Sequence, residues 1–123
     1  MKSVLGNTRK PDLIFHKNGR INVSARVARL LNITHGDIVD IMELTEEYYL
    51  YVRGRAPHVG RHEGMAYRSN KRGNHFIVSS RRLCDFILRL CRESDEVRLC
   101  CGELCLLRPE GEQALPIITR FKL

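Results

Sequence analysis

The sequence predicts a mainly β fold with two short helices, built from two imperfect copies of one β-α-β-β unit. Three observations carry that expectation. Asn18-Gly19, the strongest short hairpin signal, separates two strand-like runs. Apolar residues recur at helical spacing in two places, each behind a serine. Each helix-like stretch is followed by runs rich in β-branched residues, aromatics or leucine, which suit strands.

Asp12 to Val23 reads as two short strands around the turn His16-Lys17-Asn18-Gly19. Ser24 is a good N-cap, and Val27, Leu30 and Leu31 then form one face of a short helix. Asn32 suits the left-handed residue that ends it. After the tight connection Ile33 to Asp37 comes a strand over Ile38 to Leu44, a polar turn at Thr45-Glu46-Glu47, and a partner strand over Tyr48 to Val52. Residues 53–75 hold four glycines, a proline and no apolar period, and read as a basic loop between the halves. Phe76-Ile77-Val78 reads as a strand and Ser79 or Ser80 as an N-cap. Leu83, Phe86, Ile87 and Leu90 then mark a second helix face. Glu96 to Leu99 and Leu104 to Leu107 read as the closing strands. Helix spacing pairs Ser24 with Ser80, whereas the strand residues pair Val23 with Val78. The organisation is therefore one domain over 1–123: repeat one 12–52, basic loop 53–75, repeat two 76–108 and a tail 109–123. The tail reads as a last strand or a docking segment.

At 123 residues and 43% hydrophobic content the chain can bury a core without outside staples. Residues 1–11 lack the apolar run of roughly 7 to 15 residues that a signal peptide needs, and no stretch has membrane-spanning length, so a cytoplasmic protein is expected. Five cysteines in no regular framework read as reduced, small apolar side chains. The net charge of +7 is concentrated: residues 1–11 carry +3 from Lys2, Arg9 and Lys10, and residues 53–75 carry +5. Clustered cations suit a polyanionic partner, because neutralising nucleic-acid phosphates releases counterions.

Residues Gly19 to Asp37 (GRINVSARVARLLNITHGD) resemble, without a gap, the Gly-Arg hairpin, helix and Gly-Asp turn of the AbrB, MazE and MraZ proteins. Ser24 stands where that pattern has proline. The second copy has Asn74-His75 in place of Gly-Arg and no glycine in Glu93-Ser94-Asp95. The resemblance implies a pseudo-symmetric swapped-hairpin β-barrel. Two copies in one chain, as in MraZ, would interlock, and Asp37 would bond local backbone amides. It also implies a transcription-regulator-like protein that contacts double-stranded DNA from the hairpin and the helix start. Lys17, Arg20 and Arg29 match the family positions, and Arg26 is an addition of this sequence. By charge rather than by motif, Lys71, Arg72, Arg81 and Arg82 extend the set in the second half. Residues 16–29 hold four cations and no acid, while 37–47 hold five acids, so the first repeat is itself polarised.

Other chemistries have little support. His58 and His62 have helical spacing but sit in a Gly-rich stretch, there is no Cys-x-x-Cys, and adjacent Cys100 and Cys101 point to opposite faces of a strand. No nucleophile-base order or phosphate loop behind a strand appears, so no enzyme, cofactor, metal or small-molecule substrate is expected. The alternative to DNA binding is a protein-interaction module, antitoxin-like or accessory, that keeps the barrel. Homo-oligomerisation is compatible with either.

Overall fold

The computed structural model describes residues 10–56, 62–69, 75–107 and 111–123. Its elements are β1 (Leu13–His16), β2 (Arg20–Val23), α1 (Ala25–Leu30), β3 (Asp37–Leu44), β4 (Glu47–Arg55), β5 (Met65–Arg68), β6 (Phe76–Ser79), α2 (Arg81–Cys91), β7 (Glu96–Cys101), β8 (Cys105–Leu107) and β9 (Glu112–Ile118). All pairings are antiparallel, in the order β4-β3-β5-β6-β2-β1-β7-β9, and β9 pairs back onto β4. The fold is thus a closed eight-stranded barrel with two helices, and β8 lies beside β9. Closure leaves the eight ring strands without open edges, and a ring of this size has an interior that side chains fill.

The ring has an internal two-fold relation. Exchanging β1 with β5, β2 with β6, β3 with β7 and β4 with β9 maps the pairing order onto itself. In neither half does the first hairpin pair with the second. β1 pairs with β7 of the other half, β5 pairs with β3, and the seams are β2 against β6 and β4 against β9. The two halves are interlocked rather than side by side, and one core draws Leu13, Phe15, Val39 and Leu50 from the first and Val78, Ile87, Leu99 and Leu115 from the second.

Local chemistry accounts for the elements. The first hairpin turns through Lys17-Asn18-Gly19, with the Gly19 N–H donating to the His16 carbonyl at 3.0 Å and Gly19 at φ +93°. A glycine in the left-handed region closes such a three-residue loop. Ser24 caps α1 by accepting from the Val27 N–H at 3.3 Å, and Ser80 caps α2 by accepting from Leu83 at 3.0 Å. The caps are therefore 56 positions apart, whereas inward-facing Ile21 and Val23 correspond to Phe76 and Val78 at 55. Ser79 is the one-residue insertion that makes both alignments correct. Asn32, at φ +53°, ends α1, as expected.

Four expectations are corrected. Residues 53–75 are not a loop throughout: Arg53 to Arg55 extend β4, and Met65–Arg68 form β5, the counterpart of β1. Each half is consequently two strands, a helix and two strands. The counterpart of β4 is β9, in the tail, while Leu104 to Leu107 contributes only the peripheral β8. The buried face of α2 is Cys84, Ile87, Leu88 and Cys91, one position round from the expected set; Leu83 is half-buried, and Phe86 and Leu90 are exposed. The reading of the cysteines as buried small side chains stands: Cys84, Cys91, Cys100 and Cys101 are buried and Cys105 is partly so.

Candidate nucleic-acid interface

The interlocked topology brings the tip of the first hairpin against the start of the second half's helix. Because Arg20 pairs with Ser79, the residue after β6 lies beside the turn, and the Ser80 N–H donates to the Gly19 carbonyl at 2.8 Å. The approach is close: a Cβ on Gly19 would lie 2.8 Å from Arg81 Cγ and 3.2 Å from its backbone nitrogen. Only glycine meets both that contact and the positive φ. Arg20 and Arg81 therefore line one shallow depression of about 440 Å³ with Asn18, Glu63 and Tyr67. Arg20 also borders a second hollow with Lys10, Asp12 and His75.

Among the described residues, the ion pairs engage Arg26, Arg53, Arg55, Arg98 and Lys122; none engages Lys17, Arg20, Arg29, Arg81 or Arg82. Those five are exposed. Arg81 and Arg82 occupy the first turn of an eleven-residue helix, whose amide dipoles disfavour cations at that end. Glu63 offsets the conflict. Its Oε1 accepts from the Ser80 hydroxyl at 2.9 Å and from the Arg82 N–H at 3.2 Å. The acid lies between the depression holding Arg81 and a groove of about 520 Å³ lined by Arg82, Leu83, Phe86, Ile38 and Ile41.

The other candidates fall elsewhere. Arg26 is partly exposed but committed: its guanidinium donates to Asp12 Oδ2 at 3.2 Å and to the carbonyls of Cys101 and Gly102 at 3.5 and 3.4 Å. Asp12, only 5% exposed, also accepts from the Cys101 N–H at 2.8 Å, so this cluster ties the start of β1 to the end of β7. Arg26 is a joint between the halves. Arg29 is exposed in the last turn of α1, away from the helix start. Lys71, Arg72, Arg61 and His58 lie outside the described residues. Of the remaining cations of 53–75, Arg53 and Arg55 pair with Asp40 and Asp37 at 3.8 and 3.6 Å, and Arg68 lies over the Phe76 ring at 5.9 Å. Asp37 performs the turn-bonding role expected of it, accepting from the Thr34 N–H at 2.8 Å and the Thr34 hydroxyl at 3.0 Å.

Glu63 and Tyr67 were not foreseen as part of this surface, since both lie in the stretch read as a loop. The one available signal was Met65-Ala66-Tyr67 between Gly64 and Ser69, a strand-like run of minimal length. Among the described residues no three of His, Cys, Asp and Glu are grouped to hold a metal ion, and no helix is long and apolar enough to cross a membrane. The fold and surface together define a small closed barrel of two interlocked halves with unpaired cations gathered at one hairpin-helix junction. Comparison with protein-family models, with curated proteins and with solved structures finds no match to this chain.

Proposed function

We propose that this protein binds double-stranded DNA in the manner of a transcription regulator, through Lys17 and Arg20 of the first hairpin and Arg81 and Arg82 of α2. The observation that supports this reading is that Arg20 and Arg81, from opposite halves of the chain, line one depression, with Lys17 in the adjoining turn and Arg82 next along α2, and that no carboxylate is paired to these four side chains among the described residues. Cations left unpaired beside one another repel. Such an arrangement is stabilised by an anion that spans them, and a phosphodiester backbone supplies several at regular spacing. Of the acids of 37–47, Asp40 and Glu43 line the groove on the Arg82 side, where Arg53 pairs with Asp40, and none of the five lines the depression that holds Arg20 and Arg81.

The test is fluorescence anisotropy with a labelled random-sequence duplex across a salt series. Four phosphate contacts predict a slope of log K against log salt of about −3.6, at roughly 0.9 per contact. Retained folding with no binding, or with a flat salt response, contradicts DNA binding. It would favour a protein partner instead, a reading supported by the exposed Phe86 of α2, which shares a groove with Ile38 and Ile41, and by the exposed Leu90 on the same helix.

A further inference from the structure

The internal two-fold relation invites the expectation that both helix starts serve the same purpose, yet their chemistry differs. With caps Ser24 and Ser80 superposed, Arg81 and Arg82 correspond to Ala25 and Arg26. Each cap serine donates its hydroxyl to an acid that precedes the first strand of its half: Ser24 to Asp12 at 3.5 Å, Ser80 to Glu63 at 2.9 Å. The two acids then diverge. Asp12 is buried, takes the Cys101 N–H and closes an ion pair with the Arg26 guanidinium. Glu63 is exposed and takes only backbone and hydroxyl donors of α2, leaving both guanidinium groups there without an acid partner among the described residues. Among the described residues, the start of α1 therefore presents no uncommitted cation and the start of α2 presents two.

We infer that the chain meets a duplex off its internal two-fold axis: the start of α2 contacts the phosphate backbone, the start of α1 does not, and Glu63 holds the affinity of the α2 side down. The inference rests on the DNA-binding reading and specifies which side of the barrel carries it. A phosphate at the α2 start gains from both arginines and from the helix dipole. At the α1 start it would have to compete with a buried carboxylate for Arg26, whose geometry is already fixed by three acceptors.

The experiment measures anisotropy of a labelled random-sequence duplex at several salt concentrations with R81A/R82A, R26Q and E63Q, each checked for folding by circular dichroism. R81A/R82A is expected to weaken binding by about ten-fold or more at low salt and to flatten the salt slope by about 1.8. R26Q is expected to change affinity by less than about two-fold, because the guanidinium it removes already serves Asp12. Since R26Q alone leaves the charge of Asp12 uncompensated, the charge-balanced D12N/R26Q is the second variant and carries the same expectation. E63Q is expected to tighten binding by about three-fold or more, the sign required when a negative charge beside the phosphate path is removed. If R26Q and D12N/R26Q both flatten the slope as much as R81A/R82A, the asymmetry is wrong while DNA binding stands. If E63Q leaves affinity unchanged, the role given to Glu63 fails. If the unaltered, folded chain binds no duplex at any salt, both the asymmetry and the DNA-binding reading fall.

Discussion

Replacing Asp12 by alanine should be among the most costly single changes in the protein. The carboxylate is 5% exposed, and its Oδ2 accepts both the Cys101 N–H, at 2.8 Å across the β1–β7 joint, and the Arg26 guanidinium at 3.2 Å. Removing a charged acceptor from a buried backbone donor costs about 1–3 kcal/mol. The pair with Arg26 adds less, about 0–1 kcal/mol, because that side chain is 39% exposed and solvent screens it. Loss of the long Ser24 hydroxyl contact, 3.5 Å, and the space left by the carboxyl add a fraction more. The total is about 3 kcal/mol. With an unfolding entropy of about 2.1 cal/mol/K per residue, a chain of this length loses about 12 °C in thermal midpoint. Calorimetry or circular dichroism melts of D12A, D12N and the wild type measure it. D12N, which keeps an acceptor oxygen for Cys101, should lose less than half as much. A D12A midpoint within about 3 °C of wild type would refute the claim that this cluster clamps the two halves together.

Two further changes follow from local geometry and titration. The β3–β4 turn places Thr45 and Glu46 at φ +50° and +64°, the left-handed region that two-residue hairpin loops demand and that a β-branched residue resists. T45N/E46G should therefore stabilise the protein by about 1–2 kcal/mol in urea unfolding, and a decrease in the unfolding midpoint would contradict the turn assignment. Burial pushes the Cys84 thiol from 9.0 up to about 11, and Cys91 moves in the same direction for the same reason. A thiol whose proton is held more tightly in the folded state contributes stability that is whole below pH 9 and is lost as pH rises toward 11. The melting temperature should fall across that interval, and a C84A variant, though less stable throughout, should show a flatter fall. Equal slopes in the two proteins would discount the burial of Cys84.

What the sequence made legible were the features written in local chemistry. The Asn18-Gly19 turn, the two serine caps, the left-handed Asn32 and the Gly36-Asp37 turn all depend on neighbours within a few positions, and each stands where the residues indicate. Features set by tertiary packing were not legible in the same way. Leu83, Phe86, Ile87 and Leu90 have the same spacing as Cys84, Ile87, Leu88 and Cys91, so periodicity identifies a helix without saying which of two faces, about 100° apart, meets the barrel. β5 offers four residues of which only Ala66 is fully buried, too short a run to stand out from a basic, glycine-rich stretch. The position of Arg26 was hidden for another reason. Its acceptors at residues 101 and 102 lie 75 and 76 positions away and are brought near only by the interlocking of the halves. Arg20 and Arg81 meet by the same interlocking, so the sequence supplied the members of the candidate surface but not their proximity.

In the proposed function the interlocked barrel assembles one DNA-binding surface from the first hairpin and the second helix. Its most direct test is the salt dependence of duplex affinity for K17A/R20A/R81A/R82A beside the wild type, with thermal melts of both. The slope of log K against log salt is expected to lose about 3.6, one increment of roughly 0.9 for each cation removed, while the barrel melts within a few degrees of wild type. An unchanged slope and affinity in the folded quadruple variant would contradict it.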